Sequence, residues 1–285
     1  MNKDSTKITK EEFQNKSKLI IDTTKEQIDS VIVHAKKQIM EIPHILDDSI
    51  GTEEDAHKIE KELIRKQKDT KDKNISFTQE LIRKGIHLAA LTIPLSYIFL
   101  DRDIMLLILI PLMLLFVGFD IAAKRIYFLR TIYLKIFGKM LRKHELTSKK
   151  VFLNGASWVF ISSVVTIYIF PKDTAIVALA ILIISDICAA LVGRKYGKTR
   201  FLGIKKKSVE GTTAFFISAV IVVCLYGIIF RMSFIYFIAG IFSALIAAVT
   251  EALSKKVLKT DDNLTIPISF GISMWFINRI YMFFL

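Results

Sequence analysis

The chain has 285 residues, of which 52% are hydrophobic and 24% charged, with a net charge of +13 at pH 7 and a mean hydropathy of +0.44. Residues 1–80 contain 15 Lys/Arg and 17 Asp/Glu, whereas residues 81–285 contain 25 and 10, so the basic excess belongs wholly to the apolar part. This division excludes a single soluble globule, a disordered charged-tail protein and most nucleic-acid binders. It predicts an integral membrane protein with a soluble N-terminal appendage.

Residues 1–77 are interpreted as a cytoplasmic helical appendage. Residues 15–42 carry an apolar stripe at helical spacing that ends at Pro43, and a second, charged helix is predicted from Thr52 to about Lys71. The two helices form a hairpin, either packed on itself or lying on the membrane domain, with a coiled-coil dimer as the alternative. The chain begins without the apolar core of a signal peptide, so the first hydrophobic run is expected to stay in the membrane. The appendage carries no catalytic motif, which indicates an accessory or regulatory role.

Residues 78–285 are predicted to form the catalytic domain, an all-α polytopic transmembrane helical bundle. The stretch 126–140 is apolar on one face but carries Arg130, Lys135 and Lys139, which favours an interfacial helix over a span. A bilayer span needs about 20 mostly apolar residues. Seven segments meet this requirement: 82–100, 104–122, 152–170, 174–192, 212–230, 233–251 and 264–284.

The basic residues of the short loops predict the orientation of the chain. The loops after the second, fourth and sixth spans carry 19 Lys/Arg, whereas the alternate loops carry only Arg102, Lys172 and Arg231. Because lysine and arginine accumulate in cytoplasmic loops, the N-terminus is predicted to be inside and the C-terminus outside. Polar residues beside the basic loops then lie at the cytoplasmic face.

Four ionisable residues within the spans are hypotheses of function, because a charge in the bilayer is costly. His87 lies about one turn into the first span, and Asp186 lies roughly 10 Å from the cytoplasmic end of the fourth. Glu251 ends the sixth span on the same side. Arg279 lies near the outer end of the seventh, where a snorkelling side chain explains it. Of the four, Asp186 is the hardest to explain as a structural residue.

The basic turn after the fourth span and the start of the fifth suit phosphate binding. Ser208 is a good helix N-cap, and free N–H groups at a helix start bind phosphate. A structural alternative stands beside each residue: the basic residues satisfy the positive-inside rule, Ser208 is only a cap, and the glycines let helices approach closely. The residues concerned are Gly193, Arg194, Gly197, Lys198, Lys207, Ser208 and Gly211.

Oxygen donors precede the seventh span in the segment Asp261-Asp262-Asn263. Carboxylates beside other oxygen donors suit Mg²⁺, which usually bridges a few carboxylates to substrate phosphates. The alternative is an ordinary turn. Together with the groups of the other spans, this segment predicts one cytoplasmic active site where a phosphorylated, water-soluble substrate meets a lipid.

These segments resemble the polyprenol kinase family, which includes dolichol kinase, phytol kinase and CTP-dependent diacylglycerol kinase and is related to the CDP-diacylglycerol synthases. The resemblance covers about residues 80–280, and its motifs occur in the family's order. They are Arg83-Lys84-x-x-His87, Arg142-x-x-Glu145, Asn154-Gly155, Ser185-Asp186-x-x-Ala189-Ala190-x-x-Gly193-Arg194-x-x-Gly197-Lys198, Lys207-Ser208-x-Glu210-Gly211, Glu251-Ala252-Leu253 and Asp262-Asn263-x-x-Ile266-Pro267.

The resemblance implies a lipid-alcohol kinase that transfers a phosphoryl group from CTP, or another nucleoside triphosphate, to a polyprenol- or phytol-type isoprenoid alcohol or to diacylglycerol. Its catalytic residues would be Asp186, His87 and Glu251. Asp186, Asp262 and Asn263 would hold Mg²⁺ or another divalent cation, and which carboxylate binds metal and which acts as base stays open. The nucleotide phosphates would be bound by Arg83, Lys84, Gly193, Arg194, Gly197, Lys198, Lys207, Ser208 and Gly211. The partners implied are a membrane lipid and a nucleotide, with no nucleic acid, and homo-oligomerisation stays open.

The nearest alternative is a phosphatidate cytidylyltransferase, because the segment from Asp186 to Gly211 is shared in looser form with the CDP-diacylglycerol synthases. Those enzymes carry a Lys-Asp pair and later a His-Gly-Gly and Asp-Arg-x-Asp signature near the C-terminus. This chain has no histidine after His144 and no Asp-Arg-x-Asp, which favours the kinase. A transporter is a third reading, but the chain shows no clear internal repeat and its polar residues lie to one side.

Overall fold

The computed structural model of the chain describes residues 53–69, 84–85, 87–137, 153–200, 207–254 and 261–284. Every regular element among them is a helix, which confirms the predicted all-α class. In chain order these helices are α1 (Glu53–Asp69), α2 (Thr92–Phe99), α3 (Arg102–Arg125), α4 (Tyr127–Phe137), α5 (Gly155–Ile169), α6 (Lys172–Tyr196), α7 (Val209–Ile229), α8 (Phe234–Leu253) and α9 (Asp262–Phe284).

Helices α3, α6, α7 and α8 are each long and apolar enough to cross a membrane. They coincide with the predicted spans 104–122, 174–192, 212–230 and 233–251. Helix α9, of 23 residues, covers the seventh predicted span, 264–284. These helices make the chain an integral membrane protein, while the total of seven spans stays a prediction.

The first and third predicted spans contain shorter helices than expected. The first contains the apolar helix His87–Phe99, and the third contains the 15-residue α5, about 22 Å long at 1.5 Å per residue. Asn154 caps the start of α5 by accepting the N–H of Ser157 at 2.8 Å. Phe170 is extended because it precedes Pro171, and this ends the helix.

Helix α6 lies at the centre of the bundle and packs against α7, α9, α2 and α5. Of its apolar stretch, 56% is buried, against 17% for α3. Its buried side chains run along most of its length, from Thr174 to Ala189. A helix that is apolar on all sides suits such a position. Asp186, in the second half of α6, is therefore largely surrounded by protein.

The outer faces of α3, α7, α8 and α9 carry large apolar side chains that no other described helix covers. Scattered exposed leucines are ordinary on a soluble protein, but a continuous apolar surface over several helices marks contact with lipid or with a partner. Combined with the length of these helices, it indicates the lipid-facing surface of the bundle. Examples are Leu107, Leu114, Leu115, Ile221, Leu225, Ile228, Phe234, Phe242, Trp275 and Phe276.

The bundle has two ends, which differ in charge. At the basic end α3, α6 and α8 finish and α5, α7 and α9 begin; the opposite end holds the turns from α2 to α3, α5 to α6 and α7 to α8. At the opposite end Arg102 donates to the carbonyl of Phe170 (2.8 Å), and Lys172 donates to the carbonyl of Leu100 (2.9 Å). Leu100 and Phe170 follow the last residues of α2 and α5, so the two cations satisfy helix C-termini.

The described part of the appendage is α1, which lies on α4. Ile59, Leu63 and Ile64 of α1 pack against Leu134 and Tyr133 of α4. The structure thus confirms a charged helix near the predicted start and a short helix within 126–140, and it shows the two packed together; the hairpin and the soluble appendage stay predictions. The helix predicted over 15–42 lies outside the described residues, and the boundary between residues 77 and 78 stays a prediction.

Candidate active site

Three acidic side chains from three helices meet at the basic end of the bundle. They are Asp186 of α6, Glu251 of α8 and Asp262, the first residue of α9. One carboxylate oxygen from each lies within 4.8 Å of the other two. Packing of α9 against both α6 and α8 brings them together, and Glu251 is only 2% exposed. The predicted grouping of spans four, six and seven is therefore seen in the structure.

Two lysines pair with these carboxylates. Lys84, which is buried, donates to Oδ2 of Asp186 and lies 3.4 Å from the Asp186 carbonyl oxygen. Lys207, in the segment just before α7, forms an ion pair with Glu251, and its Nζ lies 3.8 Å from Oδ2 of Asp262. Three carboxylates are thus faced by two ammonium groups, both from segments that the sequence had assigned to phosphate binding.

The lysine before α7 stays protonated at neutral pH. Burial lowers the pKa of Lys207, but the carboxylates of Glu251, Asp262 and Asp186 raise it more, and the hydrogen bond to Glu251 adds to this. The net result is a pKa above its usual value. Lys207 is therefore a permanent cation of the site.

A histidine completes the cluster on the side of the first predicted span. The Nε2 atom of His87 lies 3.8 Å from Oδ2 of Asp186. The side chains of both residues are mostly buried. The structure therefore places His87 and Lys84 on the same carboxylate, as expected for residues separated by almost one helical turn.

The glycines of the basic turn sit where α6 crosses α7. A methyl group at Gly211 would lie 3.0 Å from the carbonyl oxygen of Ala189 and 3.1 Å from Cα of Gly193. At Gly197 it would clash with the carbonyl of Gly193 and lie 2.6 Å from Oγ of Ser208. The structure thus gives these glycines the close-packing role that the sequence allowed. Their role in phosphate binding stays a prediction.

The start of α7 is largely occupied by hydrogen bonds within the chain. Ser208 caps the helix as predicted, accepting the N–H of Gly211 at 3.1 Å. The N–H of Val209 donates to the carbonyl of Thr199 at 3.0 Å. Those two donors are used, so the predicted binding of phosphate at this helix start rests on the remaining groups and on nearby cations.

Glu210, which belongs to one of the motifs of the family resemblance, holds the basic turn. One of its carboxylate oxygens accepts the N–H groups of Lys198 and Thr199, each at 3.0 Å. The exposed side chain of Lys198 lies on the turn that this carboxylate holds, and the exposed side chain of Arg194 lies in the last turn of α6 just before it. Among the other predicted residues, Asn263 is bonded to Asp261 at 2.7 Å, and Arg83 lies outside the described residues.

One buried acid was missed by the sequence reasoning. Asp120 of α3 is 3% exposed and accepts the backbone N–H of Asn154 (2.7 Å), its Nδ2 (2.8 Å) and Oγ of Ser157 (2.6 Å). A methyl group at Gly155 would lie 4.0 Å from Nδ2 of Asn263. Asp120 therefore holds the start of α5 beside the start of α9. An acid inside an apolar run was the signal that could have found it.

The fold and this site define an integral membrane protein with a cluster of acids and lysines at one end of a helical bundle. The uncharacterized protein RP860 of Rickettsia prowazekii is 31% identical over 201 residues, which cover 70% of this chain and 96% of that protein. The chain belongs to the same family as this rickettsial protein. No family model matches the chain, and no solved structure matches it.

The named relatives are kinases of more distant similarity. CTP-dependent diacylglycerol kinase 1 of Saccharomyces cerevisiae is 26% identical over 171 residues, 54% of this chain and 56% of the yeast protein. The protein of the same name from Schizosaccharomyces pombe is 28% identical over 146 residues, 48% of this chain and 64% of its own length. The chain therefore spans somewhat more than half the length of these two kinases and is their distant homologue.

Proposed function

We propose that the protein is a membrane-embedded lipid kinase that transfers the γ-phosphoryl group of CTP to the hydroxyl of a lipid alcohol and releases CDP. The observation that carries the proposal is the cluster of three carboxylates and two lysines at the basic end of the bundle. Its distant homology to CTP-dependent diacylglycerol kinases supports CTP as the donor and diacylglycerol as the first acceptor to test. Polyprenol- and phytol-type alcohols are the second class of acceptor.

Phosphoryl transfer requires mainly positioning and neutralisation of charge, and the site offers groups for both. The donor set fits Mg²⁺, since three carboxylates from three helices offer oxygens within 4.8 Å of one another. Asp186, Glu251 and Asp262 would hold the ion. When bound, the ion would supply positive charge that neutralises part of the charge of the triphosphate. Lys84 and Lys207 supply the further positive charge.

The proton of the lipid hydroxyl needs an acceptor, and the pair His87 and Asp186 is placed to provide it. The two side chains lie 3.8 Å apart and are mostly buried. A general base needs to be within hydrogen-bond reach of the proton that it takes. In this proposal the lipid tail lies between the helices, with its hydroxyl at the depth of Asp186. Arg194, at the end of α6, and Lys198, on the turn that follows, bind the phosphates.

The decisive experiment incubates membranes that contain the protein with labelled CTP or ATP and a panel of lipid alcohols. We expect lipid phosphate and CDP in equal amounts, with CTP preferred over ATP. Diacylglycerol, phytol or geranylgeraniol, and dolichol form the panel, and phosphatidate is included to detect cytidylyl transfer. Pyrophosphate and a CDP-lipid formed from phosphatidate would instead assign the protein to the cytidylyltransferases.

Replacing Asp186 by Asn tests the site directly. We expect the Asp186→Asn variant to lose activity by about 10²-fold or more, because it removes one candidate metal ligand and proton acceptor. The matched control is Asp173→Asn on the same helix, whose carboxylate accepts the hydroxyl of Tyr226 at 2.7 Å at the opposite end. Full activity of Asp186→Asn would refute the assignment.

A further inference from the structure

We infer that Lys207 competes with the metal ion for the carboxylates of Glu251 and Asp262, and that it moves to the nucleotide phosphates when metal and nucleotide bind together. This inference rests on the proposed function. It makes Lys207 the residue that couples the two ligands, beyond a static phosphate contact.

The first step of the argument is the position of the ammonium group. Lys207 forms an ion pair with Glu251 and lies 3.8 Å from Asp262. The same two carboxylates, with Asp186, form the set of oxygens within 4.8 Å that would hold the metal. A divalent cation binds oxygens at about 2.0–2.6 Å. The ammonium group therefore stands where the ion would be.

The second step is that the two cations exclude each other. A lysine ammonium and a divalent ion on the same carboxylates repel strongly, because a buried site screens charge poorly. Glu251 is 2% exposed and offers little access to water. Binding of the ion therefore requires that Lys207 leave at least one of its partners.

The third step is that Lys207, and not Lys84, is free to move. The side chain of Lys84 is 7% exposed and is bonded to both the carboxylate and the carbonyl of Asp186. The side chain of Lys207 is 19% exposed. The residue itself lies in the segment before α7, outside the helix. Its ammonium group ends a flexible four-carbon chain, so it changes partners without movement of the backbone.

Binding of the two ligands is then cooperative. The ion alone would leave Lys207 without its carboxylate partners. The nucleotide alone would place its negative phosphates beside three negative carboxylates. When both bind, the ion takes the carboxylates and Lys207 takes a phosphate, so every charge stays paired. Each ligand must then raise the affinity of the other by the same factor.

The test uses the purified full chain and Mn²⁺ as the probe, with free Mn²⁺ measured by electron paramagnetic resonance. Without nucleotide, the Lys207→Met variant is expected to bind Mn²⁺ about tenfold more tightly than the unsubstituted protein. Its affinity for CTP in the presence of Mn²⁺ is expected to fall, and CTP no longer raises its affinity for Mn²⁺. Lys195→Met, which removes an exposed lysine from the nearby end of α6, controls for long-range charge and is expected to leave the Mn²⁺ affinity unchanged.

A second measurement needs no substitution. Saturating Mg²⁺ alone is expected to increase labelling of Lys207 by an amine-reactive reagent, detected by mass spectrometry, and addition of CTP is expected to reverse the increase. The inference is overturned if Lys207→Met binds Mn²⁺ with unchanged affinity, or if Mg²⁺ does not change the labelling of Lys207. Absence of Mn²⁺ binding to the unsubstituted protein and both variants overturns it too. None of these readouts needs turnover, so failure to phosphorylate a lipid would refute only the proposed kinase.

Discussion

At the scale of single residues, the cost of burying a charge explains Asp120. A buried carboxylate without partners is costly, and Asp120 meets this cost with three hydrogen bonds from Asn154 and Ser157. Two of the three come from Asn154, the N-cap of α5, so the acid fixes the start of that helix. Asp120 is therefore a residue that positions the start of α5.

Asp120→Asn should therefore destabilise the protein although the side chain keeps its size. The substitution turns one acceptor oxygen into an N–H group that faces other donors, and we expect a loss of about 1–3 kcal/mol in the free energy of unfolding. The matched control is Asp103→Asn, an exposed acid in the first turn of the same helix. Thermal unfolding in detergent measures both. Equal stability of the two variants would contradict the role given to Asp120.

The residues of the site were predicted from sequence to different degrees. The depth of Asp186, Glu251 and Asp262 follows from counting along apolar spans, and the structure brings these three together. The pairing of Lys84 with Asp186, and of Lys207 with Glu251, could not be predicted, because it depends on which helices are neighbours. Hydropathy ranks α6 with the other spans and does not say that it is the central one.

At the scale of elements, the crossing of α6 and α7 brings the basic turn to the helix that carries Asp186. Gly193, Gly197 and Gly211 allow the two backbones to approach each other closely. The carboxylate of Glu210 accepts hydrogen bonds from the turn that follows α6. The sequence pointed to both segments but left open whether the glycines serve packing or phosphate. The contacts show a packing role for these glycines, because a methyl group at any of the three positions would lie 3.1 Å or less from backbone or Ser208 atoms.

Gly197→Ala should separate the two helices at the basic end. The added methyl group would lie 2.6 Å from Oγ of Ser208, and we expect a loss of about 1–3 kcal/mol, as for other overpacked sites, together with reduced lipid phosphorylation. Gly118→Ala in α3 is the control, since nothing lies within 4 Å of the added atom. That variant should gain about 0.5–1 kcal/mol, because alanine favours a helix. Effects of equal sign in thermal unfolding would refute the packing argument.

Helix ends were harder to predict than helix positions. The four helices that are long and apolar enough to cross a membrane coincide with predicted spans, whereas α5 is shorter than its span because Asn154 caps it and Pro171 follows its last turn. A window of average hydropathy detects apolar composition but not the hydrogen bonds that begin and end a helix. The same limit applies to the first span, where α2 has only 8 residues.

At the scale of the whole molecule, the distribution of charge predicts how the bundle is inserted. In the sequence, the 19 basic residues of three loops lie between helices that end and begin at the end carrying the carboxylate cluster, whereas Arg102, Lys172 and Arg231 lie at the other end. Two of these three bind helix carbonyls, which gives them a structural reason to be there. The orientation with the basic end in the cytoplasm stays a prediction.

Labelling of single cysteines tests the orientation. In a background without Cys188 and Cys224, we expect Asp103→Cys at the opposite end to react with a membrane-impermeant maleimide in intact cells. Lys195→Cys at the basic end should react only after the membrane is permeabilised. Both native positions are exposed, so either cysteine is accessible from water. The reverse pattern would invert the predicted topology.

The reciprocal bonds at the opposite end have a consequence for the fate of the product. Arg102 and Lys172 bond the turn after α2 to the turn after α5, whereas the cluster of Asp186, Glu251, Asp262, Lys84 and Lys207 lies at the other end of the bundle. A phosphate group crosses hydrocarbon poorly, because a charge there is costly. A lipid phosphate formed at this site therefore returns to the leaflet from which the alcohol came. Its appearance in the other leaflet would require a separate flippase.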